Sequence, residues 1–395
     1  MEVPEGMRQF YGEEVYLLLL KTIYGLKQAA FAFWMALLSM MAKRGFVKSK
    51  VDSCVYYKWI GMELVVWISW IDDLVCFGKK HLMDEAVSHM KLDFDCDDVG
   101  RFEEYVGCTL EMSEEKDCII IRQPVLIQSF VDEFGVDEGK GPKTPAVPSS
   151  VLMKLEEEEE VHPEVREKYG TGVGKLLHLT RWSRPEIANS VRELTRHVSK
   201  VSAEHVAAMY RCIRYVVGTP KRGWKLKPTR KWNGKGTFEF IISGFSDSDY
   251  AKCPKTRRSV TGLVVFLEGA ALSIRSIMQK VVALSVTEAE LMAAVTCAQE
   301  MMFIKHLLES LGLLVKLPMV LKMDNRGAVD LINNFSCGGN TKHIEVRNHY
   351  LRELKEQGII VVEWEEGSMN CSDLFTKNCD VNTFERHTSV FCDGE

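Results

Sequence analysis

GFSDSDYAKCPKTRRSVTGLVVFL (residues 244–267) runs from an apolar stretch into two aspartates, then through a basic turn into a second, more apolar stretch. Runs rich in Val, Phe and Leu favour extended chain, and the Asp, Lys, Pro and Arg between them favour a turn. Outward from this hairpin, the same logic predicts strands over 238–245, 260–267 and 280–285, a long helix over 287–311 and a strand over 318–323. A short helix from Asn325, a helix over 345–356, a strand over 358–364 and a terminal helix opening near Ser372 complete the series. Three strands, a helix, a strand, helices and a last strand make a mixed sheet covered by helices.

Four acids fall where that layout brings elements together. Asp247 ends the first strand, Glu290 lies in the first turn of the long helix, Asp324 follows the fourth strand, and Asp373 opens the last helix. Sites assemble at strand ends and helix N-termini on one edge of an α/β sheet. Oxygen ligands of this kind suit Mg²⁺, and a pair of such ions can activate water and stabilise a leaving oxygen. Taken singly each acid is weak, since Asp324 before Asn325 also fits a helix cap and Glu290 a surface helix position. Asp249 is an alternative to Asp247, because it lies two residues on and shares a strand face.

The stretch at 244–267, with VALSVTEAELMAAV (282–295), KMDNRGAVDL (322–331), TKHIEVRNHYLRE (341–353) and CSDLFTK (371–377), resembles the ribonuclease H domain of copia-type LTR-retrotransposon Pol polyproteins. The resemblance implies that Asp247, Glu290, Asp324 and Asp373 are metal-binding catalytic acids. It implies two Mg²⁺ ions, with Mn²⁺ as substitute, and hydrolysis of the RNA strand of an RNA–DNA hybrid. Upstream, YGLKQAAFAFW (24–34), with Gln28 as a nucleic-acid contact, and WIDDLVCFG (70–78) resemble the family's reverse transcriptase, where Asp72 and Asp73 match a metal-binding hairpin. RFEEYVGCTLEM (101–112), SRPEIANSVRELTRHVSK (183–200) and YRCIRYVVGTPKRG (210–223) are similar to its thumb and connecting region.

The expected architecture is α/β and α+β multidomain: a truncated reverse-transcriptase palm and thumb over 1–145, a linker and helical connection over 146–236, an RNase H-like mixed sheet with covering helices over 237–378, and a tail over 379–395. In the family another palm aspartate precedes the segment that MEVPEGM (1–7) resembles, so polymerase activity is expected to be lost. The alternative is a catalytically inactive transposon remnant that binds nucleic acid. IRSIM (274–278) departs from a normally more polar stretch, which leaves the metal site alone and bears on substrate contacts. His343 and His349 read as packing or capping residues.

Composition agrees with a folded chain. Its 395 residues are 46% hydrophobic and 27% charged, and they carry a net charge of −5, which excludes a generally basic coat but not a local one. Residues 220–236 (PKRGWKLKPTRKWNGKG) hold seven basic residues and no acid. Lys221, Arg222, Lys225, Lys227, Arg230 and Lys231 there form either a soluble connector or a strip along a phosphate backbone. Lys255, Arg257 and Arg258 form either a solvated turn or a hybrid contact. The acidic run at 156–160, preceded by KGPKTPAVPSS (140–150), reads as a solvated linker. A helical pair is expected over 185–195 and 203–217. The twelve cysteines, with no C-x-x-C pair, read as buried thiols. The expected partners are an RNA–DNA hybrid, RNA template, DNA primer strand and other Pol or Gag products. No membrane partner is expected, and the expected compartment is a cytoplasmic particle or the nucleus.

Overall fold

The computed structural model describes the chain except for residues 1, 4, 12–14, 21, 24, 101, 138, 140, 154–160, 334–344 and 395, and the side chains of 345–348. It has two compact units, Met1–Val99 with Gly234–Gly236, and Gly100–Asn233 with Thr237–Glu395. In the first, the helix Ala29–Lys43, uncharged until Lys43 in its last turn, is followed by Gly45, whose φ of 79° turns the chain into an antiparallel sheet. That sheet runs Val47–Lys48, Val55–Ile60, Glu63–Trp70 and Asp73–Phe77 in order. Val55–Ile60 and Glu63–Trp70 form a hairpin, paired from Val55↔Ile68 to Ile60↔Glu63. Leu37 and Met41 of the helix, Tyr56, Val65 and Trp67 of the sheet, and Leu82 of the helix Lys80–Asp93 share one core.

The second unit is built on a five-stranded sheet. Its strands are β1 (Ile242–Asp249), β2 (Val260–Leu267), β3 (Ala270–Met278), β4 (Met319–Met323) and β5 (Ile360–Trp364), in the spatial order β3-β2-β1-β4-β5. The first three pair antiparallel, whereas β4 lies parallel to β1, and β5 parallel to β4. This is the RNase H-like mixed sheet expected from the motifs. Helices α1 (Val286–Ser310), α2 (Arg326–Asn333) and α3 (Glu345–Glu356) follow β3, β4 and α2 in turn.

β2 is apolar at nearly every position because both of its faces are covered. Leu263 and Val265 face a core shared with α1, β4 and β5, while Val264 and Phe266 face a second core. The second core explains where the expected layout fails. It joins Phe130 and Phe134 of the helix Pro124–Phe134, Leu176 of Pro163–Trp182, Val216 of Ala203–Val217, and Phe375 and Phe391. Segments between 124 and 217 thus share a core with the RNase H-like sheet, and the units divide after Val99 and on either side of Gly234–Gly236.

Four further expectations are corrected. The third strand is β3, reached through a two-residue turn at Glu268 (φ 52°) and Gly269 (φ 82°), and 280–285 is not a strand. The middle region has a third, 20-residue helix, Pro163–Trp182, whose glycines weaken its helical signal. Gly172 is needed there, because a Cβ would lie 2.6 Å from Met209 Sδ. Residues 141–153 are held against the unit: Arg211 donates to Thr144 Oγ1, Ser149 N donates to Asn378 O, and Leu152 is buried. The run 156–160 lies outside the described residues. Finally, the expected tail forms the helix Val381–Phe391 and a strand, Cys392–Asp393, paired antiparallel with Gly223–Leu226. The sheet continues through Ile119–Arg122, Cys108–Met112 and Glu104–Tyr105.

Because Phe391 is fully buried between Phe266 and Phe375, Phe391→Ala should cost about 3–5 kcal/mol. Urea denaturation of the variant beside the wild type measures this.

Candidate active site

The register of β1 sets the site. Ser246 pairs with Met323 of parallel β4, so Asp247 and Asp324 emerge side by side at the same sheet edge. The helix cap that competes for Asp324 is supplied by its neighbour, since Asn325 Oδ1 accepts from Ala328 N at 2.9 Å. Asp324 is also fixed through its backbone, whose carbonyl accepts from Trp364 Nε1 at 2.9 Å. Glu290 lies one turn into α1, which starts at a Ser285 cap accepting from Glu288 N. Its Oε1 accepts from Ser248 N at 3.3 Å, and its buried Oε2 has no hydrogen-bond partner.

Asp373 arrives on the short 3-10 turn Cys371–Phe375 rather than on a terminal α-helix. Asn370 caps the turn by accepting from Ser372 N, and donates to Ser246 O at 3.0 Å, which ties it to the residue before Asp247. Gly262, opposite Asp247 in the β1–β2 register, gives the turn its room: a Cβ there would lie 2.6 Å from Ser372 O. Thr376 Oγ1 donates to Asp247 Oδ2. Lys377 Nζ lies 3.0 Å from Asp373 Oδ1 and 3.4 Å from Asp247 Oδ2.

Asp247, Asp324 and Asp373 each bring an oxygen within 4.8 Å of the others. Glu290 stands beside this triad. Burial, then Asp247 and Asp324, push its carboxyl up to about 9. Burial and Asp247 push Asp373 up to about 7 against the pull of Lys377, and the same causes raise Asp324. Burial opposes the charge on Lys377, but Asp247 and Asp373 more than offset it and hold its pKa above the ordinary value. Three converging carboxylates, an unpartnered buried oxygen on a fourth and one lysine leave an excess of negative charge. Oxygen donors in that arrangement fit a hard divalent cation.

Asp249 belongs elsewhere, paired with Lys252 at 2.7 Å. Sequence reasoning missed Thr376 and Lys377, although both stand in the quoted CSDLFTK. In the first unit, Asp72 and Asp73 are exposed at the turn joining Trp70 to the next strand, where Ile71 has φ 54°. Among the described residues no third carboxylate joins them in a ligand group. Gln28 is exposed just before the helix Ala29–Lys43 and makes no side-chain cap.

Of the two readings of the basic segment, its pairing within the protein favours the connector. Arg222 is buried, donating to Tyr215 Oη, Gly394 O and Glu385. Arg230 grips both oxygens of Glu268. Lys225 donates to Ser389 O and Lys231 to Glu115 O, while Lys227 stands 3.4 Å from Asp117. Lys221 is exposed. Lys255, Arg257 and Arg258 are exposed in the β1–β2 turn, and among the described residues no ion pair engages them. His349 is exposed on α3, and His343 lies outside the described residues.

Residues 1–148 match the family described as reverse transcriptase (RNA-dependent DNA polymerase). Over 390 residues, 98% of this chain and 29% of the relative, the sequence is 30% identical to the retrovirus-related Pol polyprotein from transposon TNT 1-94 of Nicotiana tabacum. Over nearly its whole length the chain is similar to copia-type retrotransposon Pol polyproteins. A second Pol polyprotein, from transposon RE1 of Arabidopsis thaliana, is 28% identical over 93% of this chain and 24% of its own length. The chain thus spans less than a third of the length of either relative. Among solved structures, the N-terminal RNase H domain of a Mycobacterium tuberculosis protein overlaps 38% of the chain and 98% of its own, at 12% identity and a TM-score of 0.27.

With the Asp373 carboxyl pushed up to about 7 and an unfolded aspartate near ~3.9, the folded chain binds more protons than the unfolded one between those values. Stability of the protein without divalent ions should therefore fall as pH rises through about 7. Urea midpoints across this range should show a flatter profile for Asp373→Asn.

Proposed function

We propose that the second unit is a ribonuclease H, hydrolysing the RNA strand of RNA–DNA hybrids with Mg²⁺ as cofactor and Mn²⁺ as substitute. The convergence of Asp247, Asp324 and Asp373 from three separate chain segments beside the unpartnered oxygen of Glu290 supports this reading. These four acids would hold two ions, which supply an activated water and neutralise charge on the leaving 3′ oxygen. The protein's own part is positioning. β1, β4, α1 and the turn at 371–375 aim the acids at one point, and Thr376 fixes the orientation of the Asp247 carboxylate. Lys255, Arg257 and Arg258, on the turn leaving β1 at the same edge, are suited to the phosphates of a duplex. Selectivity for a hybrid would come from helix shape and 2′-hydroxyl groups rather than base reading.

The purified chain with Mg²⁺ should cut the RNA strand of a labelled hybrid, and Asp324→Asn should lower the rate by about 100-fold or more. Binding of the hybrid by a folded wild type without cutting in either Mg²⁺ or Mn²⁺ would instead favour a remnant that binds without turnover.

For the first unit, the proposal is that Asp72 and Asp73 do not by themselves make a polymerase centre. The support is their exposure and the absence, among the described residues, of a third carboxylate within ligand distance. Template-directed incorporation of deoxynucleotides should be undetectable in a primer-extension assay of the chain, and extension of the primer would refute this.

A further inference from the structure

Lys377 is placed unlike an ordinary surface lysine. Its ammonium group stands between two of the three converging aspartates, 3.0 Å from Asp373 and 3.4 Å from Asp247, while the side chain keeps 40% of its surface exposed. One flank therefore faces the carboxylates and the other faces solvent at the mouth of the site.

The backbone on either side is pinned. Thr376 N and Lys377 N both donate to Asp373 O, at 3.1 and 3.0 Å. On the next residue, Asn378 Oδ1 accepts from Asn189, Asn378 Nδ2 donates to Glu193 and Ser150 O, and the carbonyl accepts from Ser149 N. With the main chain so held, what remains free is the four-carbon stem, whose compact charge can swing without disturbing the turn that carries Asp373.

Charge balance gives that freedom a use. Four carboxylates carry four formal negative charges, and two divalent ions cancel them. The positive charge of Lys377 is then surplus at the acids and equal and opposite to that of a phosphodiester. We propose that Lys377 is a resident counter-cation: it neutralises Asp247 and Asp373 when divalent ions are absent, competes with those ions for the site, and turns to a hybrid phosphate once they are bound. This rests on the metal-dependent nuclease reading above, and it makes Lys377 a positioning residue that links metal occupancy to substrate binding.

The test uses the full chain, Lys377→Met and Lys377→Arg, with folding checked by circular dichroism. Mn²⁺ titrated without nucleic acid and followed by electron paramagnetic resonance should bind Lys377→Met more tightly, on the order of tenfold, because a unit charge has left the site. Lys377→Arg, which keeps the charge, should bind close to the wild type. At saturating Mn²⁺, a hybrid whose RNA strand is 2′-O-methylated should bind Lys377→Met more weakly, with a shallower salt dependence, by about one unit of slope. Equal Mn²⁺ affinity of Lys377→Met and wild type would overturn this proposal alone, as would an unchanged salt slope. A purely structural ion pair would lower stability in Lys377→Met and leave Mn²⁺ affinity where it was. Failure of the wild type to take up Mn²⁺ would remove the metal reading and this proposal together.

Discussion

Asp247, Asp324 and Asp373 meet within 4.8 Å although like charges in a partly buried setting repel. The rest of the second unit can be understood as what holds them there. The parallel pairing of β1 with β4 brings two of them side by side, and the third is carried in by a turn bolted to β1 through Asn370 and Ser246. Gly262 leaves room for that turn where any other side chain would strike Ser372 O. The strain of the arrangement shows in the raised carboxyl pKa values and in the lysine that leans into the cluster.

The sheet and its acids were largely legible in the sequence. β2 could be read because a strand covered on both faces is apolar at nearly every position. What misled was local patterning without tertiary context. Residues 280–285 look like a strand by composition, yet a tight turn at Glu268 and Gly269 commits the preceding residues to β3 instead. The positions of Thr376 and Lys377 depend on how the last turn folds back over Asp373, and nothing in their spacing reports that. The mutual geometry of the acids likewise became visible only with the sheet register.

The basic segment illustrates a second limit. Seven positive charges without an acid suggest a polyanion partner, but the compensating acids are distant in sequence: Glu268 for Arg230, Glu385 for Arg222, Asp117 for Lys227. Arg184 and Glu186 form a fully buried pair in the same neighbourhood, and Cys392 and Tyr215 close around Glu186. Such groups are held where desolvation is costly only because their partners are placed to meet them. Charge clustering along a chain is thus a poor guide to surface charge when long-range pairs absorb it.

The strand Cys392–Asp393 closes on Gly223–Leu226, and Cys392 reaches Glu186, a separation of 206 residues. A core assembled from such distant segments has a timing consequence during synthesis. At ~5–20 residues per second, roughly 8 to 30 s separate the emergence of residue 226 from that of its partner strand. For that interval Gly223–Leu226 lacks its partner strand Cys392–Asp393, and the core lacks Phe391. Assembly of the unit is slow because the closing contacts are the least local ones.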